Sequence, residues 1–208
     1  MKSSNGLFIT FEGCEGAGKS TLVNRVFDAL VKRGLDVIKT REPGGSVVGQ
    51  QIRKLLLESG SLAPRTEVLL FLADRAEHVH SVIVPALEMQ KVVLCDRYTD
   101  STLAYQGAAR QLDVSQICAF AAYDLEPHLT IYLDIDPQLG FSRIQRKKDR
   151  METEGNHFHE KVREGFLNLA KNHDDRIVTI DASHSAEEVF KLVMEVVNAK
   201  LSSVICPM

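Results

Sequence analysis

Nothing in this chain is apolar for long enough to cross a bilayer, which takes about 20 residues, and no membrane partner is expected. A secretory leader is missing as well. Met1-Lys2-Ser3-Ser4-Asn5-Gly6 runs into a β-prone segment too short for an apolar region plus a cleavage site, so a cytoplasmic protein is expected. Cysteine is scarce. Cys14, Cys95, Cys118 and Cys206 are scattered with no C-x-x-C pair, which suits reduced thiols in a cytosolic enzyme. No charge of one sign dominates: the net charge of -3 gives no bulk attraction to nucleic acid or acidic lipid, and no nucleic-acid partner is expected. Repeats, linkers and low-complexity stretches are also missing. With 44% hydrophobic and 25% charged residues, the 208-residue chain reads as one globular domain covering residues 1–208.

What is present is organised around one short stretch. Gly13-Cys14-Glu15-Gly16-Ala17-Gly18-Lys19-Ser20 has the pattern G-x-x-x-x-G-K-S. An apolar run, Leu7-Phe8-Ile9-Thr10-Phe11, precedes it, and from Thr21 onward apolar residues recur at helical spacing. Strand, glycine-rich turn and helix together form the P-loop context. Glycines let successive N–H groups point inward, the helix N-terminus adds positive potential, Lys19 neutralises phosphate and Ser20 can hold Mg²⁺. A nucleoside triphosphate is the expected ligand, held by Gly13, Cys14, Glu15, Gly16, Ala17, Gly18, Lys19, Ser20 and Thr21.

Strand and helix patterns alternate along the remaining chain, which predicts an α/β fold: a three-layer P-loop NTPase with a five-stranded parallel sheet and helices on both faces. Strands are expected at 7–11, 36–40, 92–95, 129–133 and 176–180. Gly34 is expected to end the first helix, and a second is predicted at 48–58. A helical region over 64–89 should be broken or kinked at Pro85, and further helical stretches fill 101–124. Asp136-Pro137 reads as an N-cap with proline at the first helical position, opening a helix that becomes basic through Arg143, Arg146, Lys147, Lys148 and Arg150. A helix resumes near Asn156, and Ser185 with Glu188 forms a capping box.

Ligands of open α/β sheets bind at the carboxyl ends of the strands. Asp96 ends a hydrophobic strand there, where an acid orients Mg²⁺, and Arg97 beside it faces a phosphate. The variable P-loop positions contain no arginine. The basic run from Arg143 to Arg150 could supply the missing positive charge as a mobile lid, or be a solvated helix face. The H-x-H pairs His78/His80 and His157/His159 lack a third ligand and read as surface histidines.

Four segments carry a resemblance: Phe11 to Thr21, Thr40-Arg41-Glu42-Pro43-Gly44-Gly45, Leu70-Phe71-Leu72-Ala73-Asp74-Arg75, and Asp96-Arg97-Tyr98-Thr99-Asp100-Ser101-Thr102-Leu103-Ala104-Tyr105-Gln106-Gly107. Together, in this order over residues 7–181, they resemble the thymidylate kinases of bacteria. The resemblance implies transfer of the ATP γ-phosphoryl group to dTMP, giving ADP and dTDP for dTTP biosynthesis. It places Phe71 on the thymine face, with Arg75 and Gln106 on its polar edge and Thr102 close by. Arg97 and Arg53 would hold the acceptor phosphate. Tyr105 would pack on the sugar's 2′ side, Glu15 would contact its 3′-hydroxyl, and Glu42 would organise the pocket. Relatives without a P-loop arginine supply one from a lid, which the resemblance places at about residues 143–156. Lys19, Arg97, Arg143, Arg146 and Arg150 are thus the expected catalytic residues, Ser20 and Asp96 the Mg²⁺ residues, and a homodimer through residues 65–122 the expected assembly.

Two other readings stay open at this stage. A kinase of another nucleotide or nucleoside would share the scaffold and differ only in the acceptor pocket. A P-loop switch protein would hydrolyse triphosphate slowly to change partners, although no N-K-x-D guanine-reading sequence is present.

Overall fold

The computed structural model describes residues 6–146 and 149–205. Five strands, β1 (Leu7–Gly13), β2 (Val37–Arg41), β3 (Val92–Asp96), β4 (Leu129–Asp134) and β5 (Ile177–Asp181), form one parallel sheet in the order β2-β3-β1-β4-β5. All five expected strands form, four of them within a residue of the range read from the sequence and β1 two residues longer at its end. Every residue of β1 is buried, as a central strand covered on both faces requires. Its side chains alternate between two cores. Leu7, Ile9 and Phe11 join Leu94 and the helix residues Val23, Val26 and Leu30 on one face, while Phe8 joins Val93, Cys95, Ile83 and Tyr98 on the other.

Helix α1 (Lys19–Lys32) leaves the P-loop, and Gly34 just beyond it takes the left-handed φ of 81° that closes the helix. Helices α2 (Val47–Glu58) and α3 (Pro64–His78) follow. The expected break at Pro85 takes a definite form. The helix widens into a π-helical turn at Val79–Ile83 and resumes as α4 (Val84–Glu88), so the ring that cannot donate a hydrogen bond is absorbed without ending the helix. After β3, α5 (Thr99–Thr102) passes into a second π-helical segment, Leu103–Ala109, followed by α6 (Ser115–Ala121).

Asp136 caps α7 (Pro137–Ser142) as expected, accepting from Gln138 N and Leu139 N. The helix is not continued by the basic run, which corrects the sequence reading. The last turn closes with tight bonds from Arg143 N to Gly140 O and from Ile144 N to Phe141 O, and the chain leaves helical geometry. Beyond it Arg146 and Arg150 are drawn to separate acids, Glu152 and Glu67, that no single helix face could reach. Lys147 and Lys148 lie outside the described residues. A short 3₁₀ turn at Met151–Thr153 leads into α8 (Asn156–Asn172). Gly165 of α8 lets it lie directly on the Leu103–Ala109 segment, where a Cβ would meet Ala108 Cβ at 2.8 Å. Helix α9 (Ala186–Ile205) closes the fold, opened by the expected Ser185–Glu188 capping box. The parallel register sets Arg41 beside Asp96, Asp96 beside Phe11 and Gly13 beside Leu133, which gathers the polar strand ends into one crevice.

Candidate active site

The crevice is a cavity of about 410 Å³ above the carboxyl ends of β1, β2 and β3. One side is the P-loop. Gly16 has a φ of 71° and its Cα faces the backbone of α7 so closely that a Cβ would lie 1.9 Å from Gly140 O, so only glycine fits there. Lys19 folds back over the loop and donates to Gly13 O at 2.9 Å and Cys14 O at 2.8 Å. Burial, with Arg97 nearby, lowers its pKa to about 8. Ser20 donates to Asp96 Oδ2 at 2.6 Å, so the start of α1 and the end of β3 meet in one hydroxyl–carboxylate pair. Cys14 and Ala17 contribute backbone only, because their side chains belong to the core.

Arg97 lines the cavity in a left-handed conformation, φ 70°, uncommon for a side chain of this size. Its environment over-determines that geometry. Arg97 N donates to Phe11 O, while the guanidinium donates to Gly13 O, Ser101 Oγ and Glu15 Oε1 at 3.0–3.1 Å. Glu15 is buried, which alone would raise its pKa. Arg97, His159, Lys19 and Tyr105 more than offset this and hold it below the usual carboxylate range. Tyr105 donates to the Glu15 carboxylate, and its ring lies 5.1 Å from the Arg97 guanidinium carbon.

The far wall comes from α3, the end of α5 and the Leu103–Ala109 segment. Phe71, Arg75, Thr102 and Gln106 all line it, so the residues the sequence assigned to one base do converge. Arg75 is fully buried and paired with Glu42, by Nε at 2.9 Å and Nη2 at 2.8 Å. Its Nη1 is buried without a partner among the described residues. Burial opposes the charge on Arg75, but Glu42 outweighs it and keeps the guanidinium ionised. Gln106 donates its amide to Glu67 Oε1 at 2.9 Å. Arg53 lines the cavity near β2 and donates to Pro43 O. Burial, then Arg41, lowers its pKa.

The lid arginines separate. Arg143 lines the cavity and is pinned to the turn after β5, donating to Ala182 O and Ser183 O. Arg146 also lines it and stays largely exposed, in a two-pronged pair with Glu152 at 2.7 and 2.8 Å. Arg150 does not line the cavity. It donates to Leu56 O and pairs with Glu67 at 2.7 Å.

Sequence reasoning missed several residues here and misplaced two. His78 and His159 are fully buried, not surface histidines. His78 lies on the stripe of α3 that carries Phe71 and Arg75, a helical spacing that signals burial, and it contacts Glu42 through Nδ1 at 2.9 Å. His159 lies 3.5 Å from Glu15 between Phe141 and Phe158. Glu12 was passed over within the P-loop strand. Buried, it accepts from Tyr98 N at 2.7 Å and Ser101 Oγ at 2.5 Å, holding the segment that follows Arg97. Burial, with Asp100 adding to it, raises its pKa to about 8.

The arrangement offers a phosphate cradle, a hard-oxygen pair and a second pocket with an aromatic face and fixed donors. Comparison with known proteins agrees. The family model described as thymidylate kinase matches residues 11–193. The thymidylate kinase of Geobacillus thermodenitrificans is 46% identical over 95% of this chain and 92% of its own length. That of Protochlamydia amoebophila is 45% identical over 91% of each chain. A crystal structure of thymidylate kinase from Ehrlichia chaffeensis superposes with a TM-score of 0.76 at 33% identity, covering 93% of this chain and 98% of its own.

Proposed function

Because the chain belongs to the thymidylate kinase family, an ATP-dependent kinase acting on dTMP, we propose how its own residues divide that reaction. The observation that carries the assignment is the convergence of Phe71, Arg75, Thr102 and Gln106 on one wall, with Arg97 between them and the P-loop. An aromatic face beside fixed polar groups suits a base, and a central arginine suits the phosphate between two nucleotides.

In this reading a non-bridging oxygen of the dTMP phosphate attacks the γ-phosphorus of ATP. The bond from that phosphorus to the β–γ bridging oxygen breaks, and ADP leaves with the electron pair. The attacking oxygen is already anionic at neutral pH, so no general base is needed. The protein's work is positioning and charge neutralisation. Lys19 leaves the P-loop carbonyls for the β- and γ-phosphates, while Arg97 and Arg53 hold the acceptor phosphate. Glu15 and Tyr105 receive the sugar: the carboxylate accepts from the 3′-hydroxyl and the ring fills the space a 2′-hydroxyl would need. Glu42 keeps Arg75 ionised and aimed, so that its unpartnered Nη1 can donate to a ring carbonyl.

Mg²⁺ takes few protein ligands and keeps several waters, and Ser20 with Asp96 offers the small hard-oxygen share it needs. When bound there, it would neutralise charge on the ATP phosphates. Residues 143–156 act as the lid, with Arg146, which lines the cavity in its pair with Glu152, the arginine that meets the transferred phosphoryl group and Arg143 at the rim. Arg150 anchors the lid to α3 in the present conformation. The chain works as a single nucleoside monophosphate kinase domain in the cytoplasm. Among the described residues no helix is long and apolar enough to span a membrane. Leu69 and Phe120, 58% and 82% exposed on α3 and α6, are the apolar contacts of a homodimer.

Phosphorus NMR of ATP, Mg²⁺ and dTMP with the protein tests this directly. The expected products are ADP and dTDP in equal amounts. ADP with free inorganic phosphate, and dTMP unchanged, would overturn the reading in favour of hydrolysis.

A further inference from the structure

An amide in a base pocket is ambiguous, since it donates from one end and accepts at the other. Which end of Gln106 faces the cavity decides which base it can pair with, and the structure contains the group that decides. Glu67 lies one turn before Phe71 on the same stripe of α3 and is fully buried. Its Oε1 accepts from Gln106 Nε2 at 2.9 Å and Arg110 Nε at 2.7 Å. Its Oε2 accepts from Arg110 Nη2 at 3.0 Å and pairs with Arg150 Nη1 at 2.7 Å. Burial alone would favour a neutral acid. The hydrogen bonds from Arg110, Gln106 and Arg150 outweigh it and hold Glu67 ionised. An ionised carboxylate only accepts. The amide nitrogen of Gln106 is therefore the end turned to Glu67, and the amide oxygen is the end left for the cavity wall that Gln106 lines.

We propose that Glu67 is a positioning residue for base selection, locking the Gln106 amide so that its oxygen accepts from the N3–H of a thymine-type ring. The inference rests on the dTMP reading above and deepens it. Thymine presents a donor at N3 between two carbonyls, whereas cytosine presents an acceptor at N3 beside an amino group. An oxygen at Gln106 and a donor at Arg75 Nη1 match the first pattern and repel the second, because buried groups would be left unpaired. The plain alternative is that Glu67 is only a counter-ion for Arg110 and Arg150.

The test is the ratio of kcat/KM for dTMP to that for dCMP in wild type, Glu67→Gln, Gln106→Ala and the double variant. A glutamine at 67 can donate to Gln106 and reverse its amide. The ratio is expected to fall by about ten-fold or more in Glu67→Gln. Loosening of the lid through Arg150 affects both acceptors alike and cancels. In the Gln106→Ala background the same change at 67 should leave the ratio unmoved. Equal losses for dTMP and dCMP in Glu67→Gln would overturn the proposal, as would a shifted ratio in the absence of Gln106. If Glu67→Gln does not fold, a crystal structure of wild type with dTMP decides. Gln106 bridging ring N3 and Glu67 supports the assignment, and an amide turned away from either overturns it. Failure of wild type to use dTMP at all would instead overturn the underlying reading.

Discussion

Tyr105 points its phenolic oxygen at the Glu15 carboxylate, 2.6 Å from one oxygen and 2.8 Å from the other, although 90 residues separate them in the chain. The pair ties the P-loop to the far wall of the cavity at the place assigned to the sugar. Tyr105→Phe keeps the ring and removes one hydrogen bond to a charged group. The expected result is about a ten-fold fall in kcat/KM for dTMP with the KM for ATP nearly unchanged. Steady-state kinetics with each substrate varied in turn checks this, and equal changes for both would contradict the placement.

Lys19 and Arg97 divide the phosphates between them. Lys19→Ala is expected to lower kcat by about 10²–10³-fold, the scale of losing one preorganised charge, with little change in thermal unfolding. Arg97→Ala should weaken dTMP binding at least ten-fold more than ATP binding, read by calorimetric titration of each nucleotide. Parallel losses would mean that Arg97 serves the donor side.

Phe71 distinguishes a binding surface from a core residue. It lines the cavity and belongs to none of the buried apolar clusters. Phe71→Ala should therefore cost less stability than the roughly 3–5 kcal/mol of a core phenylalanine. It should weaken dTMP by the roughly 1–3 kcal/mol of a stacked base. Urea unfolding and dTMP titration on one preparation give both numbers. A large stability loss with unchanged binding would return Phe71 to the core.

Glu12 gives a pH signature. Its pKa is 4.5 when unperturbed and about 8 in the fold, where burial, then Asp100, disfavour the charge. The native state thus holds a proton that the unfolded chain releases between those values. The stability this contributes is full below about pH 4.5 and is lost as pH rises through about 8. Glu12→Gln mimics the protonated form, so its unfolding temperature should gain on wild type steadily from pH 5 to pH 9. A gap independent of pH would show that Glu12 is ionised in the native state throughout.

The parts of this account legible in the sequence are those whose signals are local. Strand, glycine turn, Lys19 and Ser20 are contiguous, and Asp96 and Arg97 follow an unbroken apolar run. Parallel pairing then brings Gly13, Arg41 and Asp96 together without further information. The rest depends on partners far apart in the chain. Glu67 meets Arg110 and Arg150 across 43 and more residues, and Glu12 reaches Tyr98 across 86. Charge spacing in the run from Arg143 suggested a helix because a sequence does not show that Glu152 and Glu67 wait as buried partners. His78 could have been found, since it continues the stripe of Glu67, Phe71 and Arg75. His159 could not, because its neighbour Glu15 lies far away along the chain.

The central claim is that one cavity selects the monophosphate of a deoxyribose thymine nucleotide. Turnover of ATP with dTMP, UMP, dCMP and thymidine, each at matched concentration, tests it most directly. The account predicts strong turnover with dTMP, little with UMP or dCMP, and almost none with thymidine, which lacks the phosphate that Arg97 holds. Comparable turnover with UMP or with thymidine would contradict it, the first by removing the sugar reading at Tyr105 and the second by removing the role of Arg97.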